Sequence, residues 1–224
     1  MKRPLAVLCL LVAAACGDDD DSGTNPSSNP AASTLGFFVS SVTSTTGNLG
    51  GLRGADARCQ ALATAVGAGS RTWRAYLSVE RDPDNNNQPA DARSRIGNGP
   101  WLNARNMTVA RDLNELHSRP GDASLFLDER GERINGQWAG SPSPVQHDIL
   151  TGSSADGRLM PGTTCADWTS SATTLTAQVG HSDGMGPGMS TAGALSSWNS
   201  AHANQNCADT APRGGAGRIY CFAR

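Results

Sequence analysis

Apolar positions change their period several times after residue 36, and each change marks an element. "GFFVSSV" (36–42) has the aromatic and β-branched content of a strand. Leu52, Ala55, Cys59, Leu62 and Val66 then recur at helical spacing, with Gly67 placed to end the helix. That spacing puts Cys59 on the buried face. In "TWRAYLSV" (72–79), Trp73, Ala75, Leu77 and Val79 alternate with Arg74, Tyr76 and Ser78, the pattern of a half-buried strand. A polar loop is expected over 81–99. A short helix is expected over "TVARDLNELH" (108–117), with Val109, Leu113 and Leu116 on one face. "SLFLDERGERING" (124–136) reads as a strand, a turn and a second short strand, and "GRIYCFA" (217–223) alternates again.

Residues 140–216 behave differently. They are rich in Gly, Ser, Thr, Asn and Ala and hold few long apolar runs. A compact domain rarely carries so much loop unless disulfides or function fix it. There is no repeat of fixed period and no second boundary. The pattern predicts a single α+β domain over 35–224 with a loop-rich second half.

The N-terminal stretch is of another kind. Lys2 and Arg3 precede an apolar run from Leu5 to Ala15, and small residues lead directly to Cys16. This arrangement predicts a lipoprotein signal peptide over 1–15 and acylation of Cys16. Residues 16–34, with Asp18–Asp21 and many Ser, Pro, Asn and Gly, offer no apolar face and predict a disordered acidic tether. The expectation is an exported protein, lipid-anchored in a bacterial envelope. Gly17 stands where an aspartate often retains lipoproteins at the inner membrane, which favours the outer membrane or cell surface.

Charge excludes one class of partner. Removing Lys2 and Arg3 from 18 basic residues, and Asp18–Asp21 from 20 acidic ones, leaves a neutral domain. Its arginines are scattered from Arg53 to Arg224, so no nucleic-acid footprint appears. Cys9 leaves with the leader, and Cys16 takes the lipid. Cys59, Cys165, Cys207 and Cys221 remain, an even set that predicts two disulfides in any of three pairings. No Cys-x-x-Cys spacing accompanies them, and no histidine lies at ligand spacing, so no zinc cluster is expected.

"GGLRGADARCQALATAVGAGSRTWRAYLS" (50–78) resembles the opening of the endostatin module of collagen C-terminal domains. "LTGSSADGRLMPGTTCADWTSS" (150–171) is similar to that module's Gly-Ser…Cys-x-x-Trp stretch, and "IYCFA" to its final cysteine strand. The resemblance implies a C-type-lectin-like (endostatin-like) fold over 36–224 and nested disulfides, Cys59–Cys221 and Cys165–Cys207. It also implies a non-catalytic recognition module for carbohydrate or protein, which is analogy at the level of fold. Endostatin's zinc site uses histidines at its extreme N-terminus. Here no histidine precedes His117, so that site is absent.

Candidate ligand contacts are His181, Asp183, Trp198, Asn199 and His202. "SSWNSAHANQNC" (196–207) carries Trp198-Asn199-Ser200, where calcium-binding lectins have Trp-Asn-Asp. Among Asp183, Asn199, Ser200, Asn204 and Asn206 only Asp183 is a carboxylate, and Ca²⁺ takes about six to eight oxygens. Asp148 and Asp156 would join only if the fold brought them close. Calcium is therefore not favoured, and no metal or other cofactor is expected. The first expectation is a packed Trp198 and an Asn199 bonded to loop backbone. Trp101, Trp138 and Trp168 are most simply core or groove residues. In "GHSDGMGPGMSTAG" (180–193), His181, Ser182 and Asp183 are adjacent, unlike the separated members of a catalytic triad. No Gly-x-Ser-x-Gly elbow occurs, and no enzyme is expected. His147-Asp148 reads as a structural or solvated loop pair. A structural envelope lipoprotein and an unrecognised hydrolase are the alternatives.

Overall fold

The last strand organises the chain. In the computed structural model, which describes residues 34–224, Gly215–Ala223 forms one nine-residue strand. The expected leader, the lipidation at Cys16 and nearly all of the acidic tether fall on residues 1–33 and lie outside it. Ile219, Cys221 and Ala223 face one core, while Tyr220 and Phe222 face another. Both faces of this strand are therefore buried, and its alternating sequence is apolar throughout its second half.

The architecture is mixed α+β with mostly strands. Strand β1 (Phe37–Val39) runs antiparallel along one edge of the terminal strand, pairing Phe38 with Cys221. The other edge is shared. Strand β2 (Trp73–Ala75) pairs with the final residues, and β7 (Asp148–Leu150) lies parallel to the earlier ones. Strands β8 (Gln178–His181) and β9 (His202–Ala203) extend the sheet beyond β7. The terminal strand is β10. Two small ribbons complete the set: β3 (Val79–Asp82) with β4 (Gln88–Ala90), and β5 (Trp101–Leu102) with β6 (Thr108–Ala110).

Helix α1 (Gly51–Ala65) covers one face of the sheet with Leu52, Ala55, Cys59 and Leu62, close to the expected span. Gly67 ends it with φ +78°, donating to the Thr64 carbonyl, while the Ala68 amide reaches Ala63. Only a residue without Cβ adopts that exit cheaply. Asp56 fixes the helix laterally. Its carboxylate accepts from the Ala75 amide at 2.8 Å and from Arg74 and Arg95 at 2.7 and 2.8 Å. Arg95 belongs to α2 (Ala92–Arg95).

Several elements depart from the periodicity. The 72–79 strand breaks after Ala75 because β7 occupies the same edge of β10 up to Ile219. Ser78 donates instead to Thr151, just past β7. The 81–99 loop contains the β3–β4 hairpin and α2, turned through Asn86 and Asn87 at positive φ. The expected 108–117 helix begins late. Thr108–Ala110 pairs with Trp101–Leu102, and Asp112 then caps α3 (Leu113–Ser118) by accepting from the Asn114 and Glu115 amides. A capping aspartate beats an apolar period that runs through it. Residues 124–136 hold a turn and two isolated bridges, Leu127 to Arg133 and Asp128 to Val39, rather than two strands.

The cysteines join as Cys59–Cys221 and Cys165–Cys207, the nested pairing that the endostatin resemblance implies. The first fastens α1 to β10. The second holds a turn that would not form alone: Cys165, Ala166, Asp167 and Trp168 all have φ between 48° and 64°. Left-handed backbone costs roughly 1–2 kcal/mol at each such residue. Trp168 offsets part of that by burying its ring and donating Nε1 to Ser78, and Asp167 accepts from the Glu80 amide. Removing the clamp with a Cys165→Ala/Cys207→Ala variant is expected to lower stability by up to about 4 kcal/mol, from loop entropy over this separation. Urea unfolding of the variant and the parent checks it, and equal midpoints would contradict it.

Candidate functional site

Strand pairing gathers side chains that are far apart in the chain. Asp148 on β7 lies directly opposite His181 on β8, and His202 on β9 is carried beside them by its pairing with Val179. His147 precedes β7, and its ring stacks on that of His181 with centroids 4.4 Å apart and planes 8° apart. Three of the four histidines in the sequence thus converge on one carboxylate. Asp148, His147 and His181 are buried, whereas the His202 side chain is 30% exposed. Asp183 stands behind His147, accepting from its Nδ1 at 2.7 Å and from the Gln137 and Met185 amides at 2.6 and 3.1 Å.

The electrostatics follow from burial. Burial raises the Asp148 pKa to about 6, against the pull of His147 and His202. Burial lowers the His181 pKa to about 4, and neighbouring His147 adds to that. Burial alone would raise Asp183, but the hydrogen bond and charge of His147 and two backbone amides hold it below the ordinary carboxylate range.

Beside this cluster opens a cleft of about 550 Å³ between α3 and the 183–199 loops. Its floor is zipped by main-chain bonds, Gly121 to Ser196 at 2.9 Å and Asp122 to Ser182 at 2.9 Å. Its walls include Arg119, Pro120, Met185, Thr191 and Ser196, with Asp183 behind. Under one wall runs a relay. Asn199 donates to the Tyr76 hydroxyl at 2.9 Å, and Tyr76 donates to His117 Nε2 at 2.9 Å. His117 Nδ1 donates to Leu113, so its Nε2 is the acceptor.

The five candidate ligand contacts do not form one surface. His181 and His202 enter the Asp148 cluster, and Asp183 orients His147. His181 and Asp183 do not pair with each other: His181 Nδ1 donates to Leu195. Trp198 is 1% exposed, packed on Tyr76 and Tyr220 at 4.8 and 5.1 Å and donating Nε1 to Leu116. Asn199 is equally buried, its amide spent on Tyr76, Ser154 and Ala155 and its carbonyl on Ser197. Ser200 accepts from Gln178. The remaining oxygens considered for calcium face elsewhere, with Asn204 on Ala177, Asn206 on Ala208 and Asp209, and Asp156 on Ser154 and Arg158. As surface ligand contacts, Trp198 and Asn199 are therefore corrected to core residues, because ring packing and internal hydrogen bonds consume them.

His147 and Asp148 are the functional candidates that sequence reasoning passed over. The pair is not a solvated loop feature but the centre of the buried cluster. Its available signal was small: a His-Asp pair directly ahead of a short apolar run, in a chain with few histidines.

The family described as "Protein of unknown function (DUF1554)" matches residues 42–185. The chain belongs to that family. The matched segment holds His117, His147, Asp148, His181 and Asp183, while Trp198, Asn199, His202, Cys207 and Cys221 lie beyond it. Among curated proteins none matches this chain.

An Asn199→Ala substitution leaves the buried Tyr76 hydroxyl and the Ser154 and Ala155 carbonyls without this donor. It is expected to destabilise the domain by about 2 kcal/mol, the usual cost of orphaned buried polar groups. Thermal or urea unfolding reads this out, and a loss below about 0.5 kcal/mol, the range of ordinary surface substitutions, would contradict it.

Proposed function

We propose that the chain is an exported lipoprotein, anchored through Cys16 in a bacterial envelope, whose C-type-lectin-like domain recognises carbohydrate or a protein ligand. The observation that carries this is the cleft beside α3. Its volume falls within the range of roughly 300–1,000 Å³ typical of ligand pockets. Its floor is fixed by hydrogen bonds before any ligand arrives, which reduces the ordering cost of binding. Thr191 and Ser196 offer hydroxyls, and Pro120 and Met185 offer apolar surface, a mixture that suits a sugar ring with one polar and one apolar face.

Other features support parts of this reading. The nested disulfides, the α1 helix against a sheet closed by both chain ends, and the long loops beyond Thr151 accord with a C-type-lectin-like fold. Among the described residues no helix is long and apolar enough to cross a membrane. Attachment would then depend on the lipid. The neutral domain with dispersed arginines offers nucleic acid no basic face. A non-catalytic role fits the separation of His181 from Asp183 and the core role of Trp198.

A glycan array probed with the full-length chain tests the proposal. Binding to a subset of glycans is expected, reduced about tenfold or more by Thr191→Trp, which fills the mouth of the cleft with a side chain far larger than threonine. The thermal midpoint of that variant should match the parent. Binding of a protein ligand in place of glycans, with the same sensitivity to Thr191→Trp, would assign the cleft to protein recognition. Binding indifferent to that substitution would remove the cleft from the function.

A further inference from the structure

Asp148 carries a requirement that its protein neighbours leave unmet. Its side chain is 1% exposed, and neither carboxylate oxygen makes a hydrogen bond. Three imidazole nitrogens nevertheless surround it: His147 Nε2 and His181 Nε2 each at 3.3 Å, and His202 Nε2 at 3.5 Å. These are ion-pair distances without hydrogen-bond geometry, and the tautomers explain why. His147 Nδ1 bonds the Asp183 carboxylate at 2.7 Å, and His181 and His202 Nδ1 bond the Leu195 and Ala203 carbonyls, each at 2.9 Å. Carboxylates and carbonyls only accept, so each Nδ1 carries a proton, and in the neutral imidazole each Nε2 then presents a lone pair. With the imidazoles neutral, three lone pairs and the unpartnered Asp148 carboxylate therefore face one small volume. The His181 and His202 Nε2 atoms are only 3.0 Å apart. Such a set repels itself, and burying an unpaired carboxylate is costly.

We infer that His147, Asp148, His181 and His202 bind one divalent transition-metal ion of the Zn²⁺ class. Tetrahedral bonds of about 2.0–2.1 Å place neighbouring ligand atoms about 3.3–3.4 Å apart. Asp148 lies 3.3, 3.3 and 3.5 Å from the three imidazole nitrogens, reaching His147 and His181 through one oxygen and His202 through the other, and His181 lies 3.0 Å from His202. His147, Asp148 and His181 form the preset inner face, with ligand atoms all within 4.8 Å of one another. His202, the partly exposed member, stands outside that preset group and would complete the fourth position by shifting inward from the solvent side. Three imidazoles and one carboxylate suit zinc, copper or nickel, whereas Ca²⁺ and Mg²⁺ take oxygen ligands. Every imidazole already has the outer partner that fixes ligating histidines. With four protein ligands the site is closed and structural, tying β7, β8 and β9 together. This departs from the expectation of a metal-free domain, and it stands independently of the ligand proposed for the cleft.

The test is calorimetric titration of the full-length chain, stripped with chelator, with ZnCl₂, alongside its thermal midpoint and the visible spectrum of the Co²⁺ form. Expected are one ion per chain, a higher midpoint with zinc, and the absorption of four-coordinate cobalt. His202→Ala, at the partly exposed position, should keep the metal-free midpoint and weaken zinc binding by about tenfold or more. Asp183→Asn, which alters the outer partner of His147 and no ligand atom, should weaken it by about 10–100-fold. Absence of stoichiometric zinc binding by the parent would overturn the inference. So would zinc affinity unchanged in both His202→Ala and Asp148→Asn, since the ion would then sit elsewhere. Zinc binding retained while glycan binding fails, or the reverse, separates this inference from the reading of the cleft.

Discussion

The whole molecule depends on burying both faces of one strand. β10 meets α1 through Ile219, Cys221 and Ala223 and the aromatic core through Tyr220 and Phe222. A strand covered on both sides must find partners on both edges, because an unpaired main-chain group in such a place is expensive. β1 fills one edge, and β2 and β7 divide the other. That division explains why the N-terminal and C-terminal strands are neighbours, and why β2 stops where it does. It also explains the value of the Cys59–Cys221 link, which fastens α1 to the strand on which β1, β2 and β7 pair.

The second half of the chain is anchored to this frame by few but exacting contacts. Gly180 shows how close the approach is: a Cβ there would lie 1.9 Å from the Trp198 carbonyl oxygen and 2.3 Å from the Asn199 amide nitrogen. Only glycine lets the 197–199 segment lie on β8. With the segment seated, Trp198 enters the aromatic core, and His202 two pairs along reaches Asp148. The loop that separates His181 from His202 is thus long, yet its ends are fixed to within a hydrogen bond. Loop content and rigidity are not opposites here.

Local order was legible in the sequence where one period ran uninterrupted between clear stop signals. α1 shows this, with its apolar stripe and Gly67, and so does the alternation of β10. Legibility failed where two local rules competed, as at residues 108–117, where the Asp112 cap divides a continuous apolar pattern. It failed also where a distant strand decided an edge, as at Tyr76. The cleft and the His-Asp cluster were the least visible features for the same reason. His147, Asp148, His181 and His202 share no spacing motif, because antiparallel registers between β7, β8 and β9 bring them together rather than the periodicity of any one segment. The lectin-like triplet was conspicuous by contrast, and its Trp198 and Asn199 turn out to be core.

Asp183 joins the two halves of the functional proposal. One carboxylate oxygen accepts from His147 and from the Met185 amide, and the other accepts from the Gln137 amide. The same residue backs the cleft in which Met185 forms a wall. An ion held by His147 would sharpen the hydrogen bond to Asp183, because ligation draws electron density from the ring and makes its Nδ1–H a stronger donor. That would hold the start of the 183–199 loop more firmly against Gly121 and Asp122. A preordered wall gives up less conformational entropy when ligand binds. The coupling runs through a single buried carboxylate with partners on both sides, so the metal would act on recognition by fixing the loop that shapes the cleft, without touching the ligand.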